Sequence, residues 1–354
     1  MLHKSHSFLE RLLCYNLETF SKKMNNKLKI IICGSIAILL IFGLGVLFTK
    51  DFLSNNTQNC DASKYKSINP ELVCSAPPKI NKRNYIEFKA KLVEAIEEKK
   101  SSGDIINASV YFRDLNNGPT FGIEEYSNFS PASLLKLPLF LTYLNLAQDK
   151  PELLDVQVAF KDPNIDFEQN FPPKYTAEDN NTYTVRELLR YMIQYSDNQS
   201  YFILSEYLKE VSPNHDALKE TFTDLGIINP KDELDQTINV KSYGSIFTQL
   251  YHSSYLTNKD SSEYALDILS GADFVNGLSL GLPEGIRLAH KFGERSGSQY
   301  GYKQLHDCGI VYYPENPYLV CIMTQGDSFE KLSKSIGIFS KMIYEEFDSR
   351  SIKQ

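Results

Sequence analysis

The longest uninterrupted apolar stretch of the chain runs from Ile30 to Phe48 and contains no charged side chain. A helix of that length crosses the hydrocarbon core of a bilayer, which is about 30 Å thick. Residues 1–29 before it carry six basic and two acidic side chains. Because basic segments stay in the cytoplasm, the pattern predicts a cytoplasmic segment 1–29 and a single-pass signal anchor at 30–48 in the cell membrane, with the rest of the chain outside. A cleaved signal peptide is the alternative.

The chain beyond the membrane divides into a stalk and one domain. Residues 49–83 are rich in Asn, Ser, Lys and Pro without a sustained apolar period, which predicts an extracytoplasmic stalk. Periodic apolar positions begin near residue 84 and end near residue 348. They predict a single folded domain over 84–348, followed by a short tail at 349–354.

The apolar period within this domain changes from one segment to the next. Alternating positions predict strands at 105–112, 120–123, 286–292, 307–313 and 318–324. Helical spacing predicts helices at 84–100, 133–147, 184–195, 200–209, 243–251, 262–269 and 328–347. Strands at both ends around a helical middle predict an α/β fold of the α+β sandwich type. We expect a mostly antiparallel sheet from both chain ends, flanked by terminal helices, with an inserted all-helical subdomain.

Composition and charge exclude several classes of function. Apolar residues make up 42% of the chain and charged residues 23%, as in globular proteins, and the net charge is −7. An acidic domain has no basic surface for nucleic acid, so no nucleic-acid partner is predicted. The scattered histidines and the absence of Cys-x-x-Cys predict neither a metal nor a cofactor. Two cysteine pairs predicted to lie outside the membrane are candidate disulfides: Cys60 with Cys74, and Cys308 with Cys321.

Ser133 and Lys136 are the first candidate catalytic pair. Three residues apart at the start of a predicted helix, they share one face. A serine hydroxyl needs an adjacent base to become a nucleophile, and a lysine of lowered pKa can be that base. Free backbone N–H groups at the helix start can stabilise an oxyanion. The Ser-x-x-Lys pattern alone is unselective, because residues 63–66 and 328–331 also fit it.

Two further segments carry polar side chains suited to a cleft. Ser196-Asp197-Asn198 follows an amphipathic helix, so its hydroxyl and amide can point to one site. An ordinary helix-ending turn is the alternative. Lys291-Phe292-Gly293 lies on a late strand, where the lysine can hold a carboxylate and the glycine admits a close backbone approach. An exposed lysine on a strand edge is the alternative there.

The three motifs together resemble the signature of class A β-lactamases and penicillin-binding proteins, in their order along the chain and in their spacing. They are Ser-x-x-Lys, then Ser-Asp-Asn, then Lys-x-Gly. The helix that begins at Thr184 and the segment Gly281–Gly285 before the lysine strand also resemble that family. The resemblance covers residues 84–348. It implies a β-lactamase/transpeptidase-like fold and an acyl-enzyme formed with a β-lactam or with a peptidoglycan stem peptide.

The same resemblance implies a role for each matching residue. Ser133 is the implied nucleophile, Lys136 takes its proton, and Ser196 passes a proton to the leaving nitrogen. The oxyanion is expected between the backbone N–H groups of Ser133 and Glu294. The implied substrate-binding residues are Asn198 for the acyl-amide arm, Lys291 for the carboxylate, Gly293, and Glu294 through its N–H.

Two departures from the family pattern affect these expectations. Phe292 stands where the family has Thr or Ser, so we expect its ring to narrow or reshape the carboxylate site. The stretch 224–240 lacks the Glu-x-x-Leu-Asn that activates the deacylating water. Lys231 falls where that Glu belongs, and its acidic neighbours Asp232 and Glu233 are expected in a solvated loop. Acylation is therefore expected to outrun hydrolysis, which leaves three functions open: a β-lactamase, a D,D-peptidase, or a non-hydrolysing penicillin-binding sensor or scaffold.

Overall fold

The structure, a computed structural model, describes the chain in blocks: residues 25, 64–73, 85–116, 118–161, 169–213, 216–227, 237–296 and 301–351. All the helices and strands reported below belong to the compact unit Ala62–Gln354. The predicted membrane anchor at 30–48 lies outside the described residues. Among the helices within them, none is both long and apolar enough to span a bilayer.

Five strands form one antiparallel sheet in the order β2-β1-β7-β6-β5. The two outer positions of this order belong to β2 and β5, and the last strand, β7, pairs with the first, β1. A separate antiparallel pair joins β3 and β4. The strand bounds are β1 Asn107–Asp114, β2 Thr120–Ile123, β3 Gln157–Ala159, β4 Thr182–Thr184, β5 Leu288–Arg295, β6 Lys303–Val311 and β7 Tyr318–Gly326.

Eight α-helices lie within the described part of the chain. Their bounds are α1 Ile86–Ser101, α2 Lys136–Asp149, α3 Val185–Gln194, α4 Asn198–Val211, α5 Ala217–Asp224, α6 Val240–Tyr251, α7 Lys259–Ser270 and α8 Phe329–Ser351. Short 3₁₀ turns cover Pro70–Leu72, Ala132–Leu135, Pro151–Asp155 and Leu278–Gly281. A capping box begins α3: the Thr184 hydroxyl accepts from the N–H of Glu187, and the Glu187 carboxylate accepts from the N–H of Thr184.

Alternation along the strands gives the large sheet two apolar faces. On β7, Tyr318, Val320 and Ile322 pack with the terminal helices α1 and α8. Their neighbours on the same strand, such as Leu319 and Met323, pack with the helical subdomain instead. This arrangement confirms the predicted fold: an antiparallel sheet built from both chain ends, terminal helices on one face and an inserted helical subdomain on the other.

The structure differs from the sequence-based expectations in several local details. The helix predicted from Ser133 begins as the 3₁₀ turn Ala132–Leu135 and becomes α-helical only at Lys136. Pro138 therefore falls within the first turn of α2, where a missing N–H costs no hydrogen bond. The short pair β3–β4 and the helix α5 were not predicted, because three-residue strands and an eight-residue helix leave too little period to detect.

Residues 64–73, within the predicted stalk, lie against the folded domain. The Glu263 carboxylate on α7 accepts the backbone N–H groups of Lys66, Ser67 and Ile68 at 2.8–3.1 Å, and the Ser67 hydroxyl at 3.0 Å. The Tyr312 hydroxyl donates to the Ser67 carbonyl at 3.0 Å. One carboxylate thus holds three consecutive backbone amides, an arrangement of charge-assisted hydrogen bonds.

Cys308 and Cys321 form a disulfide, one of the two pairs that the sequence allows. They lie directly opposite each other on β6 and β7, with Cα atoms 3.9 Å apart, and both are buried. The other candidate pair, Cys60 and Cys74, lies outside the described residues.

Glu263→Ala should release residues 64–73 from the domain, because each backbone N–H in the segment loses its charged acceptor. We expect trypsin to cleave after Lys64 or Lys66 at least about tenfold faster in the variant, a factor equal to about 1.4 kcal/mol of local opening. Mass spectrometry of timed digests measures this. Glu284→Ala, at an exposed glutamate outside this contact, is the control, and equal cleavage of the two variants would contradict the role of Glu263.

Candidate active site

The candidate site lies where the edge strand β5 meets the 3₁₀ turn that carries Ser133. Gly293 makes the close approach possible. A Cβ added there would lie 3.0 Å from the Pro131 carbonyl oxygen and 3.2 Å from the Leu134 nitrogen, tighter than side chains normally pack. The absence of a side chain at residue 293 therefore allows the backbone of β5 to lie against the Ser133 turn.

Ser130, three residues before Ser133, is held by side chains from β5 and β6. Its N–H donates to Gln304 Oε1 at 2.9 Å, and its hydroxyl accepts from Arg295 Nη1 at 2.6 Å. Its carbonyl lies 3.0 Å from His306 Nε2, which donates because Nδ1 accepts the N–H of Thr324. Burial lowers the pKa of His306 to about 4, so this imidazole is neutral near pH 7. Every polar group of Ser130 is thereby fixed.

Two residues beside the reacting groups have left-handed backbone conformations. Ala132 has φ of 49° and Ser196 has φ of 54°. Such conformations cost a non-glycine residue on the order of 1 kcal/mol or more and persist only where surrounding contacts impose them. The fixed Ser130 supplies those contacts for Ala132, so the orientation of the Ser133 turn is set by the sheet.

Lys136 Nζ is the centre of the site. It lies 3.1 Å from Ser133 Oγ, 3.2 Å from Ser196 Oγ and 2.6 Å from Asn198 Oδ1, and it also donates to the Ser196 carbonyl. The side chain is 2% exposed. The first two sequence motifs therefore converge on one buried amine, as expected from their order in the chain.

The partners of Lys136 Nζ include two oxygens that only accept, the Ser196 carbonyl and the Asn198 amide. An unprotonated amine can donate its two N–H groups to them and still has a lone pair to accept a proton from a nearby hydroxyl. Ser133 Oγ lies 3.1 Å away. Burial, and then the positive charge of Lys291, lower the pKa of Lys136 well below its ordinary value. An unprotonated amine at this position can serve as the base that a serine nucleophile requires.

Lys291 is the second lysine that contacts the Ser196 hydroxyl. Its amine donates to Ser196 Oγ at 2.9 Å and to the Phe292 carbonyl at 3.0 Å, and burial lowers its pKa to about 7. The Ser196 hydroxyl, which is fully buried, thus lies between two lysine amines. A hydroxyl in that position can receive a proton from one side and deliver it elsewhere.

Asp197 is a residue whose importance the sequence reasoning missed. Its carboxylate caps α4 through the N–H groups of Gln199 and Ser200, and it also accepts the Ser200 hydroxyl at 2.6 Å. It further accepts the Thr176 hydroxyl at 2.6 Å and the Ala177 N–H at 3.2 Å. Asp197 therefore fixes the direction of Ser196 and Asn198. Its position before the helix was the available signal, since Asp is a favoured N-cap.

The Phe292 ring lies among apolar side chains rather than in an open cleft. It is 4% exposed, belongs to the core between the sheet and the terminal helices, and stacks on Phe274 with ring centroids 3.8 Å apart. The Lys291 amine lies over this ring, 4.5 Å from its centroid. The expectation that the ring narrows or reshapes the carboxylate site stays a prediction. The residue still lacks the hydroxyl of the family pattern.

The two competing Ser-x-x-Lys matches lie elsewhere. Lys66, from the first match, belongs to the segment held by Glu263. Lys331, from the second match, lies near the start of α8 and donates to the Gly103 carbonyl. Neither contacts the Lys136 cluster. Lys231, Asp232 and Glu233 lie outside the described residues. Within the part of the chain that the structure describes, no cluster of three or more His, Cys, Asp or Glu side chains could hold a metal ion.

Comparison with known proteins agrees with this geometry. The family model described as the beta-lactamase enzyme family matches residues 88–347. A search of curated protein sequences finds no match. Among solved structures, one of PBP-A has a TM-score of 0.61 at 20% identity, covering 77% of this chain and 99% of that one. The TLA-3 extended-spectrum beta-lactamase has a TM-score of 0.62 at 17% identity, covering 73% of this chain and 98% of that one.

A third solved structure is a representative class A beta-lactamase from Bacteroides cellulosilyticus, with a TM-score of 0.61 at 18% identity over 74% of this chain and 98% of that one. These likenesses establish the fold, and the family match spans well over half of the chain. Fold and site together place the protein among the penicillin-recognising serine hydrolases. Within that class, the chain belongs to the beta-lactamase enzyme family, whose model covers residues 88–347.

Lys291→Gln should shift the pH dependence of acylation. Lys136 acts as a base only when unprotonated, so the acylation rate rises with pH through its pKa. Removing the neighbouring charge of Lys291 raises the pKa of Lys136, so the acid side of the profile should move to higher pH. The rate of Ser133 labelling by a fluorescent penicillin between pH 5 and 9 measures this. Lys334→Gln, at an exposed position on α8, is the control, and an unchanged or lower midpoint in Lys291→Gln would contradict the coupling.

Phe292→Thr should destabilise the domain by about 3 kcal/mol, as expected for removing most of a buried ring. Urea unfolding followed by circular dichroism measures the change. Tyr175→Thr is the matched control, because Tyr175 is 50% exposed. This substitution should lower the free energy of unfolding by less than about 1 kcal/mol. Faster acylation by penicillin without loss of stability would instead show that the ring obstructs the site.

Proposed function

We propose that this protein is a membrane-anchored serine hydrolase that forms an acyl-enzyme at Ser133 with β-lactams or related acyl-D-Ala amides. The observation that carries the proposal is the position of Lys136 Nζ, within 3.2 Å of both the Ser133 and the Ser196 hydroxyls. A buried amine at that point can accept a proton from the nucleophile and return it through the second serine.

The bond changes follow from these distances. Ser133 Oγ attacks the carbonyl carbon, its proton passes to Lys136 Nζ, and the carbonyl oxygen becomes an oxyanion. When the C–N bond breaks, the leaving nitrogen takes the Ser196 Oγ proton, and Ser196 regains one from Lys136. The product is an ester at Ser133, and Lys136 is again neutral. The amine departs from an acyl-D-Ala amide, whereas it stays attached in the opened ring of a β-lactam.

Substrate binding uses groups on both walls of the site. The backbone N–H groups of Ser133 and Glu294 would stabilise the oxyanion, since Gly293 brings β5 against the Ser133 turn. The Lys291 amine would attract a substrate carboxylate. The Asn198 oxygen is already bound to Lys136, so its –NH₂ group is the part that would donate to the acyl arm.

The location of the enzyme follows from the sequence and remains part of the proposal. The basic residues 1–29 and the apolar run 30–48 support a single-pass anchor with the catalytic domain outside the cytoplasm. The Cys308–Cys321 disulfide supports an oxidising compartment.

A second candidate function is a D,D-peptidase or sensor that keeps its acyl group. The sequence observation that favours it is the absence of Glu-x-x-Leu-Asn from residues 224–240, with Lys231 in place of the glutamate. PBP-A, similar in fold, has a variant solved as an acyl-enzyme complex with penicillin G. Slow hydrolysis of the acyl group would suit a tethered enzyme that acts on peptidoglycan.

A time course with a fluorescent penicillin tests both functions. The full-length protein in detergent should become labelled at Ser133, and Ser133→Ala should not. Label that is lost within minutes supports a β-lactamase, whereas label that persists for hours supports a peptidase or sensor. Absence of labelling, with Ser133→Ala matching wild type on every ester and amide tested, would refute the enzyme.

A further inference from the structure

Residues 169–171 connect the two walls of the site, and we call this segment the bridge. On one wall, Gln169 Nε2 donates to the Ser196 carbonyl at 3.4 Å. On the other wall, the Glu294 carboxylate accepts the backbone N–H groups of Asn170 at 3.1 Å and Phe171 at 2.9 Å. Three consecutive residues thus contact both the Ser-Asp-Asn loop and the strand β5.

The bridge is also held by an aromatic cluster. The Phe171 ring makes edge contacts with Phe274, Phe292 and Phe329, at centroid distances of 5.2, 6.3 and 5.8 Å. This gives Phe292 a role that its motif position did not suggest: its ring supports the bridge. The bridge is therefore attached to β5 by a carboxylate and by ring packing together.

The backbone and the side chain of Glu294 have separate roles. Its backbone N–H is the proposed oxyanion donor, and its side chain holds the bridge. An acyl group bound at that N–H must therefore extend past the bridge, within reach of Asn170 and Phe171. Hydrogen bonds to a charged acceptor are stronger than those between neutral groups. A bulky acyl arm that displaces the bridge must break them and therefore reacts at a disadvantage.

We propose that Glu294 is a specificity-determining residue: by holding the bridge across the site, its carboxylate restricts acylation to substrates with small acyl arms. The proposal rests on acylation at Ser133 and specifies the substrate class of that site. It favours β-lactams or acyl-D-Ala amides without a bulky group next to the reacting carbonyl.

The test compares two probes on the full-length protein. One is a penam that has no acyl arm, and the other is a penicillin with a bulky aromatic arm; Ser133 acylation by each is followed by intact-mass spectrometry. Glu294→Ala should raise the rate for the bulky probe relative to the small one by about tenfold, the factor for losing one such hydrogen bond. Glu294→Gln keeps one acceptor oxygen, so its ratio of the two rates should lie between those of wild type and Glu294→Ala. Glu284→Ala, at an exposed glutamate before β5, should match wild type.

The alternatives give different results. Equal acceleration of both probes in Glu294→Ala would mean that only the negative charge matters and would overturn the proposal, as would an unchanged ratio. Amide hydrogen exchange supplies a second measurement: Asn170 and Phe171 should exchange faster in Glu294→Ala, and unchanged exchange would also overturn it. If neither probe labels the wild type, the proposed acylation itself fails, whereas labelling without a change in ratio refutes only the role of Glu294.

Discussion

Two lysine amines, those of Lys136 and Lys291, are buried on either side of one serine hydroxyl. Burying a cation is costly unless it is paired or loses its proton. Here the N–H groups of the two amines donate to oxygens of Ser196, Asn198 and Phe292. Burial also lowers the pKa of both lysines. The reactivity of Ser133 therefore depends on the same desolvation that makes the site costly to build.

The rest of the fold holds this cluster in place. The left-handed conformations of Ala132 and Ser196 orient the two catalytic serines, and neither would be adopted by an isolated chain at no cost. Ser130, bound by three side chains from the sheet, fixes the first of them. Asp197, with five hydrogen bonds, fixes the second. Catalytic geometry is thus a property of the junction between the sheet and the helical subdomain.

Sequence reasoning reached the architecture and the Lys136 cluster because both leave a signal along the chain. Apolar periods mark the sheet and helices, and three short motifs in a fixed order select Ser133 over two equivalent serines. The supports of Ser130 left no such signal, since Gln304 and His306 are ordinary strand residues whose contacts depend on strand register. The stacking of Phe292 on Phe274 was not predicted, because a motif position does not show which core a ring enters. The side-chain role of Glu294 depends on a loop far away in the sequence.

The place of β5 at the edge of the sheet has a consequence for solubility. An edge strand offers unpaired N–H and C=O groups that can recruit strands from other molecules and start aggregation. An enzyme that needs those groups near its nucleophile cannot cover the edge with another strand. Here the Ser133 turn packs against β5 at Gly293 instead, so the same contact shields part of this edge from intermolecular β-pairing.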